Sequence, residues 1–203
     1  SFIPSLALSI VFALFQSTLQ AQPVEESEFP AVTDAMLNNP PAEDWLMFRR
    51  TLNGWGYSPL TEIDKSNVAD LRMVWTRALT DGSQTGTPLA YNGVLYMPNP
   101  NDVIQAIDAA TGDLIWEYYR PLSAEFLADG AGLTRYRGRG VFIYSDKLIS
   151  TSTDGFLFAP DPRNGTLLWE AAMADYHSGD QPSGAPVAFG GQSPCHGTAP
   201  QSP

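Results

Sequence analysis

An eleven-residue pattern occurs twice in this chain, the second copy 53 residues after the first. One copy runs Ala106-Ile107-Asp108-Ala109-Ala110-Thr111-Gly112-Asp113-Leu114-Ile115-Trp116, the other Ala159-Pro160-Asp161-Pro162-Arg163-Asn164-Gly165-Thr166-Leu167-Leu168-Trp169. Ala, Asp, Gly and Trp stand at equal spacing in both, and Glu follows each Trp. A period of about 50 residues made of four short strands is the length of one β-propeller blade. The residue types suit that use. Asp opens a tight turn, and Gly takes a backbone conformation that a Cβ disfavours. The strand that follows carries Trp into the seam between neighbouring blades, where the indole can bury about 200 Å². Trp75, preceded by Leu71 and Val74, is a weaker third member one blade earlier. The competing reading, two unrelated hairpins sharing a turn, has the spaced identities and the following Glu against it.

The rest of the chain agrees with an all-β body. Short apolar or alternating runs bounded by turn residues place strands at Gly93–Pro98, Val103–Asp108, Leu114–Tyr118, Val141–Tyr144, Lys147–Thr151, Gly155–Ala159 and Thr166–Glu170. Asn92-Gly93, Asp154-Gly155 and Asn164-Gly165 are dipeptides that accept the positive φ of a hairpin. Thr61 to Leu71 is expected to hold a short helical turn, with Leu71–Trp75 resuming strand character. No stretch after Leu71 keeps helical spacing over three turns. The 17 glycines and 17 prolines fit a turn-rich chain, and 43% hydrophobic residues suffice for a core.

Charge and cysteine usage exclude several function classes. With 22 acidic and 11 basic residues the chain carries −11, which repels phosphate backbones and argues against nucleic acid as a partner. Surplus carboxylates need mean no more than solubility. The single Cys195 rules out an intrachain disulfide and a multi-cysteine zinc site, and no ordered base lies near it. His177 and His196 lack metal-ligand spacing and read as surface residues.

Leu6 to Phe15 is apolar except for Ser9 and is followed by the polar Gln16–Gln20 and then Ala21. That order matches the hydrophobic and cleavage regions of a secretory signal peptide, with cleavage after Ala21. The run is shorter than the about 20 residues a membrane helix needs, so no stable span is expected. A buried strand or helix is the alternative. The expected organisation is a signal peptide lacking its charged start (1–21), an irregular lead-in (22–43), the N-terminal blades (44–189) and an aberrant or truncated tail (190–203). The tail does not look like the next strand, as a shifted reading frame or an artificial end would explain.

Ala-x-Asp-x-x-x-Gly-x-x-x-Trp resembles the tryptophan-docking motif of the eight-bladed quinoprotein propellers, and other segments resemble the PQQ-dependent (quinoprotein) alcohol dehydrogenases in particular. These are Trp45-Leu46-Met47-Phe48-Arg49-Arg50, Gly54-Trp55-Gly56-Tyr57-Ser58-Pro59-Leu60, Gly86-Thr87-Pro88-Leu89 with Asn92-Gly93-Val94-Leu95-Tyr96, Arg139-Gly140-Val141-Phe142-Ile143-Tyr144, and Ser183-Gly184-Ala185-Pro186. The resemblance covers about Asp34 to Val187 and implies about three of eight blades of four antiparallel strands. It further implies a periplasmic enzyme in which PQQ and Ca²⁺ lie near the propeller axis. There an alcohol is oxidised to an aldehyde, with a carboxylate as base, hydride passing to the quinone and Ca²⁺ acting as a Lewis acid. A cytochrome c-type protein is the implied electron acceptor.

The same resemblance assigns residues. Arg139 matches an arginine that hydrogen-bonds the quinone oxygens, a task suited to a guanidinium fork; a solvated turn arginine is the alternative. Ser183 stands where the family has a hydroxyl contacting PQQ, or is a plain loop serine. Thr85 replaces the cofactor-binding Glu common in the family, keeping a hydrogen-bonding group without the charge. Leu133-Thr134 fill the region where many members carry adjacent cysteines. The Ca²⁺ ligands and the catalytic base are expected outside this chain, and the chain alone is expected to be inactive. The competing function is a non-catalytic propeller that serves as a periplasmic protein-binding scaffold. A membrane-anchored, sugar-oxidising relative is disfavoured because only a cleavable leader is visible.

Overall fold

The computed structural model describes residues 29–128, 137, 138 and 140–178. The expected leader, Arg139, Ser183, Cys195, His196 and the 190–203 tail lie outside the described residues.

Ten strands follow in chain order: β1 Ser83–Gln84, β2 Leu89–Tyr91, β3 Val94–Asn99, β4 Val103–Asp108, β5 Leu114–Tyr119, β6 Arg137–Gly138, β7 Val141–Tyr144, β8 Lys147–Thr151, β9 Phe156–Pro160 and β10 Leu167–Ala172. They form two four-stranded antiparallel meanders, β2-β3-β4-β5 and β7-β8-β9-β10, and a two-stranded parallel pair, β1-β6. Each meander is one blade. The middle strands are mostly buried, β4 at five of its six residues, whereas the outer strands β5 and β10 show mostly exposed residues. One core joins the two blades, with Tyr96, Ile104 and Ala106 of the first beside Phe142, Leu148 and Phe158 of the second.

The lead-in, expected to be irregular, contains helix α1 (Asp34–Asn38), whose N-terminus is capped by the Thr33 hydroxyl accepting from the Met36 amide at 3.3 Å. Val32 bridges Ser145 on the second blade and Trp45 bridges Ala90 on the first, so this segment is tied to both. A second short helix, α2 (Ala124–Ala128), follows β5 and buries Phe126. The expected helical turn appears as a single 3-10 turn at Val68–Asp70. Leu71–Trp75 does not form a hydrogen-bonded strand; no described strand runs beside it, and Met73 and Val74 are exposed.

Both motif copies build the same device. In the first, the Asp108 amide donates to the Asp113 carbonyl and Gly112 donates back to Asp108; in the second, Asp161 and Thr166, then Gly165 and Asp161, repeat the pattern. Gly112 and Gly165 sit at φ +78° and +76°, where a Cβ is strained. A register shift follows in each blade, one residue before the Trp, so that Trp116 faces Ala106 and Trp169 faces Ala159 across the sheet. A bulge of this kind re-aims the side chain after it. The motif alanines supply the room.

Candidate functional site

The seam between the blades is pinned at both ends. At one end Trp116 donates from Nε1 to the Pro162 carbonyl at 2.9 Å, and its ring lies where a Cβ on Gly165 would be, 2.6 Å from Cε3. Tyr96 donates to the same carbonyl at 3.2 Å, and burial drives its phenol well above the usual range. Trp75 treats the first blade identically, donating to the Ala109 carbonyl at 3.1 Å and covering Gly112. Residues around Trp75 therefore stand where the outer strand of a preceding blade would stand.

The other end of the seam is polar. Arg120, buried at the end of β5, donates to Asp154 at 2.7 Å and to Glu170 at 3.1 Å, with its guanidinium 4.6 Å from the Phe156 ring centre. Asp102 accepts from the Thr153 amide and hydroxyl at 2.9 and 3.0 Å. Burial pushes the Asp102 carboxyl up, and the two Thr153 hydrogen bonds oppose that shift. A buried pair broken on one side leaves an uncompensated charge, so this network holds the blades in one register.

Strand direction decides which face carries the candidate residues. Because neighbours in each blade are antiparallel, the segments leading into β2 and β7, the β3–β4 and β8–β9 turns, and the ends of β5 and β10 share one face. Thr85 is exposed on that face. The pair β1-β6 sets Ser83 opposite Arg137 and Gln84 opposite Gly138. Thr85 and Arg139 are the next residues in sequence after this matched pair, so backbone segments far apart in the chain are brought together ahead of two of the three candidates. Arg139 and Ser183 themselves lie outside the described residues.

The same face carries a hollow of about 420 Å³ lined by Asp154, Phe156, Met173, Asp175, Tyr176 and His177 among others. His177 is half-exposed there, with Nδ1 2.9 Å from Asp175 and Nε2 3.6 Å from Glu125 of α2. The segment around Trp45–Gly56 is built by its arginines. Arg49 donates to the Gly54 carbonyl at 2.6 Å, and buried Arg50 donates to the Pro40 and Pro41 carbonyls at 3.1 and 2.9 Å. These groups organise backbone.

Donor chemistry bears on which groups this face could hold. PQQ is a planar polyanion, and the described candidate Thr85 is exposed and brings no charge that would repel it. Calcium needs several carboxylate or carbonyl oxygens converging on one point. Among the described residues no group of three or more His, Cys, Asp or Glu is placed to hold a metal ion. No described helix is long and apolar enough to cross a membrane.

Four-stranded blades joined through reciprocal tryptophan and glycine positions define a β-propeller of the tryptophan-docked class. The family described as "PQQ: Glucose/ethanol/alcohol dehydrogenase, beta-propeller domain" matches residues 45–177, and the chain belongs to that family. The dehydrogenase subunit of a quinone-dependent alcohol dehydrogenase from Gluconobacter oxydans (strain 621H) is 35% identical over 164 residues, 80% of this chain and 21% of the relative. Among solved structures, the quinohemoprotein alcohol dehydrogenase ADHIIG of Pseudomonas putida HK5 superposes with a TM-score of 0.72 at 31% identity, over 82% of this chain and 25% of that one. The quinohemoprotein alcohol dehydrogenase of Comamonas testosteroni does so with 0.63 at 26% identity, over 78% of this chain and 23% of that one. The chain thus spans about a quarter or less of the length of these relatives.

Proposed function

We propose that this chain contributes one wall of the cofactor site in a periplasmic, PQQ- and calcium-dependent dehydrogenase that oxidises small alcohols to aldehydes. The observation that carries the reading is the β1-β6 pair, which joins the backbone ahead of Thr85 to the backbone ahead of Arg139 on one face of a quinoprotein propeller. Bound at that wall, PQQ would supply the two-electron oxidant that takes hydride from the alcohol carbon. The chain's own residues bind and orient. Thr85 would donate a hydrogen bond, Arg139 would present a guanidinium fork to the anionic rim, and Ser183 would add a hydroxyl. The Arg120–Asp154 and Asp102–Thr153 contacts keep the two blades, and so the two approaches to the wall, in fixed register. Calcium ligands, the catalytic base and a cytochrome c-type acceptor belong to the remainder of the assembly in this reading. Export through the leader-like run of residues 6–15 accounts for the periplasmic location.

The test is reconstitution of the protein at full length with PQQ and Ca²⁺, followed by dye-linked oxidation of ethanol. Turnover that requires both additions is expected, together with none from residues 1–203 alone. A full-length protein that binds no PQQ would favour the scaffold function instead.

A further inference from the structure

The segment Asp81–Thr85 belongs to neither blade, yet side chains tie it down at two points. Gln84 donates from Nε2 to the Pro98 carbonyl at 2.7 Å and lies 3.5 Å from the Met97 sulfur. Asn101 donates from Nδ2 to the Asp81 carbonyl at 3.5 Å. One anchor point, Pro98, lies near the end of β3 and the other, Asn101, lies in the β3–β4 turn, which is itself immobilised. Buried Asn99 donates to the Gln105 side chain and the Met97 carbonyl, each at 3.2 Å, and Asp102 is locked to Thr153 of the second blade. On its other edge Gln84 stands opposite Gly138 in the parallel pair. One residue therefore couples the rigid turn of the first blade to the strands that lead into Thr85 and Arg139.

We propose that Gln84 is a positioning residue of the cofactor wall: its amide fixes the height of β1 on the first blade, and the β1-β6 pairing passes that setting to both approaches. An amide suits the task. It offers a neutral N–H to a carbonyl in a half-buried site, with no charge to desolvate, and glutamate at this position could not donate. The proposal rests on the reading under Proposed function, because it gives Gln84 a purpose only if this face binds PQQ.

The experiment uses the full-length protein without cofactor, as wild type, Gln84→Leu and Gln84→Glu, titrated with PQQ. Affinity is read from tryptophan fluorescence quenching and the absorption band of bound PQQ, alongside the cofactor-free unfolding midpoint and amide hydrogen exchange at residues 82–86 and 137–138. Both variants are expected to weaken PQQ binding about tenfold, the scale of one lost hydrogen bond. They should also speed exchange in those two segments and leave the cofactor-free midpoint where it was. Wild-type affinity in both variants overturns the proposal. So does a loss of affinity matched by a fall in the midpoint, which would make Gln84 merely structural. Wild-type protein that binds no PQQ sinks the function reading itself and the proposal with it, an outcome the wild-type titration separates from the others.

Discussion

The two blades carry the same strands, the same motif turn and the same bulge, yet their tryptophans end differently. Trp116 is 8% exposed, whereas Trp169 is half-buried. The difference lies outside each tryptophan's own blade. Trp116 has Gly165 beneath its ring and the Pro162 carbonyl at its nitrogen, both supplied by the following motif. Trp169 has no such motif among the described residues. Docking therefore runs forward along the chain, with each glycine serving the tryptophan of the blade before it. The spaced identities in the repeat record contacts between blades as much as turns within them.

This contrast breaks most directly at the tryptophans. Trp116→Ala should cost about 3–5 kcal/mol, the range for deleting a buried aromatic, because it empties the seam and leaves the Pro162 carbonyl with the Tyr96 hydroxyl alone. Trp169→Ala should cost less, about 2 kcal/mol, since its ring is only half-buried among the described residues. Urea unfolding of the two variants measures the gap. Equal losses would mean that Trp169 is buried as deeply as Trp116 in solution.

The glycines sharpen the same point with a smaller effect. Gly165 and Gly93 share nearly the same φ, +76° and +77°, but a Cβ on Gly165 would strike the Trp116 ring while one on Gly93 meets nothing within 4 Å. Gly93→Ala should thus cost only the left-handed strain of about 1–2 kcal/mol. Gly165→Ala adds overpacking and should reach about 3 kcal/mol or more. Denaturant midpoints that coincide would show the indole moving aside freely, and the docking contact would lose its claim to specificity.

How much of this was legible beforehand depends on whether the controlling contact is local. Val103–Asp108, Val141–Tyr144 and Lys147–Thr151 match the expected strands at both ends, because apolar runs and flanking turn residues lie within a few positions of one another. The motif glycines were legible for the same reason. Leu71–Trp75 forms no strand because a strand needs a partner, and its apolar residues advertise burial without naming what covers them. The bulges before Trp116 and Trp169 leave no mark, since Ile115 and Leu168 look like any strand residue. Arg120 and Asp154 are separated by 34 positions, and Ser83-Gln84 with Arg137-Gly138 by more than 50. Neither pairing has a periodicity to announce it. Thr85 could be nominated only through family resemblance, whereas the β1-β6 pairing ahead of it required the fold.

The finest difference between the blades lies inside the motif turns. Asp108 accepts from the amides of Ala110 and Thr111, and these backbone hydrogen bonds hold its carboxyl below the usual range. In the second copy Arg163 replaces Ala110, and its Nε and Nη2 reach Asp161 at 2.9 and 2.6 Å. That side-chain contact is the leading reason the Asp161 carboxyl is also lowered. A carboxyl lowered in the folded state binds its proton less tightly there than in the unfolded chain. Its contribution is therefore complete above the ordinary carboxylate value and disappears as pH falls through the folded one. Arg163→Ala should make the second turn behave like the first, at a cost under about 1 kcal/mol at neutral pH because water screens a partly exposed pair. The loss should hold steady down to the carboxylate range and then close as Asp161 takes up its proton. Unfolding curves of wild type and variant from pH 7 to pH 3 would follow this. A gap that persists into acid would assign the effect of Arg163 to the packing of its methylene stem instead of its charge.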